Sequence, residues 1–164
     1  MSEEFERMHN IVKRTTLIVR DIQRSRRWYE YVMGMSVYYD SEFVLSGVGL
    51  AAGKAGDKTH LMILKCDDPE IGMIGLLQWV DPVMPAPPIE YKVGYGNPTF
   101  VVSSGDAVET HRRAIEMETK VHAEPHDWST RGANGKMKHF VGLSLFDPDG
   151  YFFELNQLVK ETDD

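Results

Sequence analysis

The chain has 164 residues, with 42% hydrophobic and 26% charged side chains, the profile of a globular domain with a single core. A formal net charge of -7 argues against nucleic acid as a partner, because proteins that bind phosphate backbones present a basic face. Cys66 is the only cysteine, which excludes intramolecular disulfides and cysteine-rich zinc sites. The acidic opening MSEEFE has none of the basic-then-apolar pattern of a secretory signal, and no window reaches the roughly 18–20 apolar residues of a membrane span. A cytoplasmic location without a membrane partner is therefore expected.

After a polar lead over 1–12, the β-branched run at 15–19 (TTLIV) reads as a strand. Asp21 can cap a helix whose apolar positions are Trp28, Tyr29, Val32 and Met33, and Gly34 stops it. Strands are predicted at 36–39, 60–65 and 71–80, so the first module has the order βαβββ over 13–83. Half of the residues in 81–88 are prolines, and a linker over 84–96 should run extended and semi-rigid.

The pattern then restarts, in a second module over 97–160. A strand is predicted at 99–102, followed by a helix opened by Gly105-Asp106 with Val108, His111, Ala114 and Ile115 inward. Residues 126–138 carry Gly132, Asn134 and Gly135 and read as a long loop. Strands at 140–146 and 151–159 flank the tight turn Asp147-Pro148-Asp149-Gly150. The tail, 161–164, is polar and expected to fray. Residues 16–19 (TLIV) match 99–102 (TFVV), and 74–78 (IGLLQ) match 153–157 (FELNQ), which is evidence for an internal duplication at about 80 residues.

Residues 17–22 (LIVRDI), with Ser25 and Trp28-Tyr29, and residues 146–155 (FDPDGYFFEL) resemble the opening and closing elements of a known superfamily. It is that of glyoxalases, bleomycin-resistance proteins and extradiol dioxygenases, the vicinal oxygen chelate proteins. The resemblance runs from about residue 13 to 159. It implies an α+β fold of two βαβββ modules, forming paired curved sheets around a central cavity. Its enzymes hold a divalent metal there through the first and last strands of each module, and the metal stabilises an enediolate or related oxyanion.

Carried onto this chain, the four ligand positions fall on Arg14, Gly75, Asn97 and Glu154, of which only Glu154 matches. One carboxylate and one amide do not make a site for a tightly held transition metal, so no metal cofactor is expected. A divalent metal would need a non-standard site, such as His122 and His126 with Glu154. Arg14 can clamp an anion in place of a metal, with Glu154 as acid, base or orienting group, making these the catalytic candidates. Alternatively Arg14 and Glu154 form an ion pair that closes a cavity without chemistry. Asn97, together with His126, Trp128, Arg131 and His139 on the expected loop, are candidates for substrate binding.

Two functions remain in view. One is an enzyme acting on a small oxygenated organic molecule as a lyase, isomerase or oxygenase, without the usual metal site. The other is a non-catalytic binding protein of the bleomycin-resistance type. In either case the expected partner is a small molecule with an aromatic or anionic part, and a second copy of the chain is a further candidate partner.

Overall fold

Both helices begin with the same device, used once in each half of the chain. The computed structural model describes residues 9–163; the acidic lead through residue 8 and Asp164 lie outside the described residues. Helix α1, Ile22–Tyr31, is capped by the Asp21 carboxylate, which accepts from the N–H groups of Gln23 and Arg24. The remaining free N–H of Ile22 donates to the side chain of Gln78 on the sheet, at 2.8 Å. Helix α2, Ala107–Glu116, repeats this with Asp106 accepting from Glu109 and with the Ala107 N–H donating to Gln157, at 2.9 Å. Each helix N-terminus, which would otherwise leave donors unsatisfied, is thereby tied to the closing strand of its own module.

Those strands belong to two four-stranded sheets. β1 (Arg14–Ile18), β2 (Ser36–Val44), β3 (Lys58–Lys65) and β4 (Met73–Asp81) make the first, in the order β1-β4-β3-β2. β5 (Thr99–Ser103), β6 (Lys120–Arg131), β7 (Met137–Phe146) and β8 (Phe152–Thr162) make the second, in the order β5-β8-β7-β6. In both, the first and last strands of the module pair in parallel and the other pairings are antiparallel. The chain is thus an α+β protein built from two βαβββ modules. Among the described residues no strand of one sheet pairs with a strand of the other.

Three expectations need correction. Residues 126–138 are not a long loop: β6 runs to Arg131 and joins β7 through a short turn closed by Gly132 and Lys136. The glycines and the asparagine that suggested a loop are confined to that turn. Pro125 is accommodated because β6 is an edge strand, and the pairing register shifts between Ala123 and His126 around it. Helix α2 buries Ala107 and Ala114, whereas Val108 and Ile115 are exposed; small residues let the helix lie close to its sheet. The closing strand also continues through Thr162 instead of fraying after 159, because the extended β7 supplies partners for Lys160, Glu161 and Thr162.

One core joins the modules. Leu17, Trp28, Tyr29, Met62, Leu64 and Leu76 of the first pack in the same cluster as Leu143, Leu145, Phe153 and Leu155 of the second. Trp28 and Tyr29 of α1 meet Phe153 at ring-centroid distances of 6.0 and 5.9 Å. The turn 147–150 completes the joint. The buried Asp147 accepts from the Tyr29 hydroxyl at 2.7 Å, and from the N–H groups of Asp149 and Tyr151. Asp149 binds the Arg20 guanidinium and backbone N–H, and accepts from Ser25 at 3.2 Å. The aspartates serve the turn, as their residue types suggested, and also fasten the second module onto the first.

Burial pushes the Asp147 carboxyl up to about 6, with the neighbouring Asp149 charge adding to it and the bond from Tyr29 opposing it. A carboxyl whose folded value is raised adds stability in full below its unfolded value, near 3.8, and loses that contribution as pH rises through about 6. The wild type should therefore lose on the order of 3 kcal/mol relative to Asp147→Asn between pH 4 and 7. Urea denaturation of both proteins across that interval checks this; parallel stability curves would contradict it.

Candidate functional site

The shared core covers the helix-facing sides of both sheets and leaves the opposite faces free to differ. On the first sheet that face is partly filled. Leu45, Leu77 and Trp79 pack together under the segment that includes Ala52 and Met84. The Trp79 indole donates to the buried Asp57 carboxylate at 3.0 Å. On the second sheet the face is open and lines a cavity of about 490 Å³.

The floor of that cavity is set by strand alternation. Gly142 and Ser144 of β7 and Phe152, Glu154 and Asn156 of β8 share one face, and His126 and Trp128 of β6 line the same cavity from the neighbouring strand. Gly142 is the decisive residue. A Cβ there would stand 2.8 Å from Trp128 Nε1 and 3.2 Å from His126 Nε2. Lacking one, Gly142 lets the indole reach across β7 and donate to Asn156 Oδ1 at 3.0 Å. One indole face stacks on Phe140, with centroids 4.7 Å apart and planes 18° from parallel. His126 is held by its Nδ1, 2.7 Å from the Glu124 carbonyl. At the other end His122 meets Phe146 and Phe152 edge-on. Glu154 is exposed and makes no hydrogen bond or ion pair among the described residues.

Of the residues expected to act, the structure thus brings Glu154, His126 and Trp128 together. Arg14 is elsewhere, at the start of β1 on the first sheet, where its Nε donates to Thr16 at 3.1 Å. It forms no ion pair with Glu154 within the chain. Asn97 lies in a turn, its Oδ1 accepting from Gly94, and it borders a separate cleft of about 500 Å³ under the proline-rich linker. The polar groups of that cleft are committed to the fold: Arg20 to Asp149, and Gln78 to the α1 N-terminus. Arg131 closes the β6–β7 turn through the Gly135 carbonyl. His139 has both ring nitrogens engaged, by Ser129 and Thr162.

Strand register also revises one position. Thr16 pairs with Gly75 in the first sheet as Val101 pairs with Glu154 in the second. Two residues upstream of each stand Arg14 and Thr99, so Thr99 and not Asn97 is the counterpart of Arg14. The four equivalent positions are therefore a guanidinium, a glycine, a hydroxyl and a carboxylate. A Cβ at Gly75 would stand 2.7 Å from Thr16 Oγ1 and 3.2 Å from Arg14 Cδ, so a side chain there would have to displace both. This donor set does not suit a divalent cation. Among the described residues, no group of three or more His, Cys, Asp or Glu is arranged to hold one.

Sequence reasoning missed Phe140, Gly142 and Asn156. Counting by twos from Glu154 along β8 leads to Asn156, and the same step along β7 links Phe140, Gly142 and Ser144. That signal does not extend to β6, where Pro125 and the glycines of the turn give the segment the composition of a loop.

Comparison with known proteins bears on the whole chain. Residues 11–155 match the family model of the Glyoxalase/Bleomycin resistance protein/Dioxygenase superfamily. No curated protein matches the chain. Among solved structures, a glyoxalase family protein from Bacillus cereus aligns with a TM-score of 0.70 at 13% identity, over 98% of this chain and 99% of that one. The trypanothione-dependent glyoxalase I of Leishmania major aligns with a TM-score of 0.59 at 19% identity, over 90% and 86%. TnmS3, an antibiotic-binding protein from a Streptomyces species, aligns with a TM-score of 0.55 at 15% identity, over 93% and 99%. At these identities the structures establish a shared fold. No helix among the described residues is long and apolar enough to cross a membrane.

Gly142→Ala tests the geometry of the floor. Its Cβ should displace the Trp128 indole, break the bond to Asn156 and cost about 1–3 kcal/mol of stability. A red-shifted tryptophan emission together with an earlier urea midpoint is the expected result; an unchanged midpoint and spectrum would show that the indole lies elsewhere.

Proposed function

The chain belongs to the Glyoxalase/Bleomycin resistance protein/Dioxygenase superfamily, and we propose that within it this protein binds a small aromatic molecule on the open face of the second sheet. The supporting observation is the cavity that combines the Trp128–Phe140 stack with the unpartnered carboxylate of Glu154. An aromatic platform with a few convergent polar groups is the usual make-up of a small-molecule site. We propose further that the site works without a tightly held metal, on the strength of its donor set.

A second copy of the chain closes the cavity in this reading. β1 and β5 are each the end strand of a sheet, and unpaired edges are a liability that proteins cover. Ile18 and Val101 on those strands are 37% and 68% exposed. Arg14 carries a positive charge and Glu154 a negative one, and neither has an ion-pair partner among the described residues. Setting β1 of one copy beside β5 of the other leaves β5 between Arg14 and Glu154, a backbone separation of roughly 10 Å that the long arginine and glutamate side chains span, twice in a symmetric pair. A ligand held between the sheets would rest its aromatic part on Trp128 and turn an anionic or polar end toward Arg14.

Catalysis is the second reading, supported by two groups with free acid–base capacity on one face: the Glu154 carboxylate and His126 Nε2. In that case the ligand would be a small oxygenated substrate, with Glu154 exchanging the proton and Arg14 stabilising the resulting oxyanion.

Sedimentation equilibrium at micromolar concentration should return twice the chain mass. Arg14→Glu should weaken the dimer by roughly tenfold or more through two like-charge contacts, and adding Glu154→Arg should restore it. A monomer across the concentration range would sink the closed-cavity reading.

A further inference from the structure

The free polar atoms around Gly142 define the chemistry that this face can read. The Glu124 carbonyl only accepts hydrogen bonds, so the His126 Nδ1 that lies 2.7 Å from it carries the ring hydrogen. In the neutral imidazole the other nitrogen, Nε2, is then a bare acceptor. That atom is directed over Gly142, 3.2 Å from where a Cβ would stand. Asn156 is fixed by the same logic. The Trp128 indole N–H can only donate, so the oxygen of Asn156 receives it and the amide nitrogen is left with its hydrogens unengaged.

An acceptor and a donor therefore flank the same spot, beside the indole of Trp128. One face of that indole is covered by Phe140, which leaves the other to the cavity. A hydroxyl group satisfies both partners at once, because it donates through its hydrogen and accepts through its oxygen. An ether lacks the hydrogen. An unsubstituted ring fills the apolar space but leaves both polar groups unpaired, a penalty that sites built for a hydroxyl impose on analogues without one.

We propose that the ligand is an aromatic alcohol of the phenol or naphthol type, its ring stacked on Trp128 and its hydroxyl donating to His126 Nε2 while accepting from the Asn156 amide. This inference rests on the reading of the second sheet's face as the ligand site, and it adds a recognition element that the superfamily's strand-end positions do not include. His126 and Asn156 are the specificity-determining residues, and Gly142 positions them.

Calorimetric titration of the full-length protein with 2-naphthol and with 2-methoxynaphthalene, at about pH 8 where an ordinary imidazole is neutral, tests it. The naphthol should bind roughly tenfold tighter or more, the value of one well-placed hydrogen bond. His126→Ala should abolish the preference, and Trp128→Leu should weaken both ligands alike. His126→Lys offers only donors at that point and keeps a polar, exposed side chain in case the alanine variant folds poorly; it too should remove the preference. Equal affinities in the wild type, or a preference that survives both His126 variants, would overturn hydroxyl recognition while leaving the aromatic site intact. Binding of neither compound would overturn the site itself.

Discussion

The hydrogen bond between Tyr29 and Asp147 is the contact on which the arrangement of this molecule depends. Both groups are buried, at 0% and 1% exposure, and they come from opposite modules. A buried carboxylate is costly unless its lone pairs are used, and Asp147 uses them on the tyrosine hydroxyl and two backbone N–H groups. Asp149, two residues on, adds the ion pair with Arg20 at 2.8 Å. Tyr29, Ser25 and Arg20 of the first module all bond to this turn, which ties the docking of the modules to its geometry. With α1 and the inner sides of both sheets committed to a shared core, the two outer faces are left to carry function.

Those faces have diverged. The first is plugged by Leu45, Leu77 and Trp79, with Asp57 anchoring the indole, and it offers Arg14 at its edge. The second is open, floored by a glycine, and lined by aromatic rings with a carboxylate and an imidazole among them. A duplicated fold would start with equivalent surfaces. Here one half supplies a fixed positive charge and the other supplies shape, stacking and free hydrogen-bonding atoms. The substitution of Arg14 and Gly75 on one side, against Thr99 and Glu154 on the other, is the local form of that division.

Much of this was legible in the residues. Asp21 and Asp106 announced the helices, the repeated glutamine marked equivalent closing strands, and residues 147–150 announced their turn. What could not be read has physical causes. The strand β6 was hidden because Pro125 and the glycines of its turn mimic loop composition, while its edge position and register shift, which make the proline tolerable, are tertiary facts. Asn97 stands in for Thr99 in the sequence alignment of the halves because the short β5 run matches its counterpart almost as well when slid by two, and a slip of two preserves the face. Helix α2 was rotated in the reading, since Val108 and Ile115 are more apolar than the alanines it buries. The separation of Arg14 from Glu154 depends on how the modules dock, which no strand pattern specifies.

In the dimer we propose, Arg14 and Glu154 approach each other between chains and not within one. Cysteine cross-linking in a Cys66→Ser background measures this directly. Arg14→Cys and Glu154→Cys chains, mixed and treated with a bismaleimide that spans roughly 10 Å, should give a covalent dimer, and a chain carrying both substitutions should also cross-link to a second copy. A cross-link closing within single, monomeric chains of the double variant would contradict that arrangement.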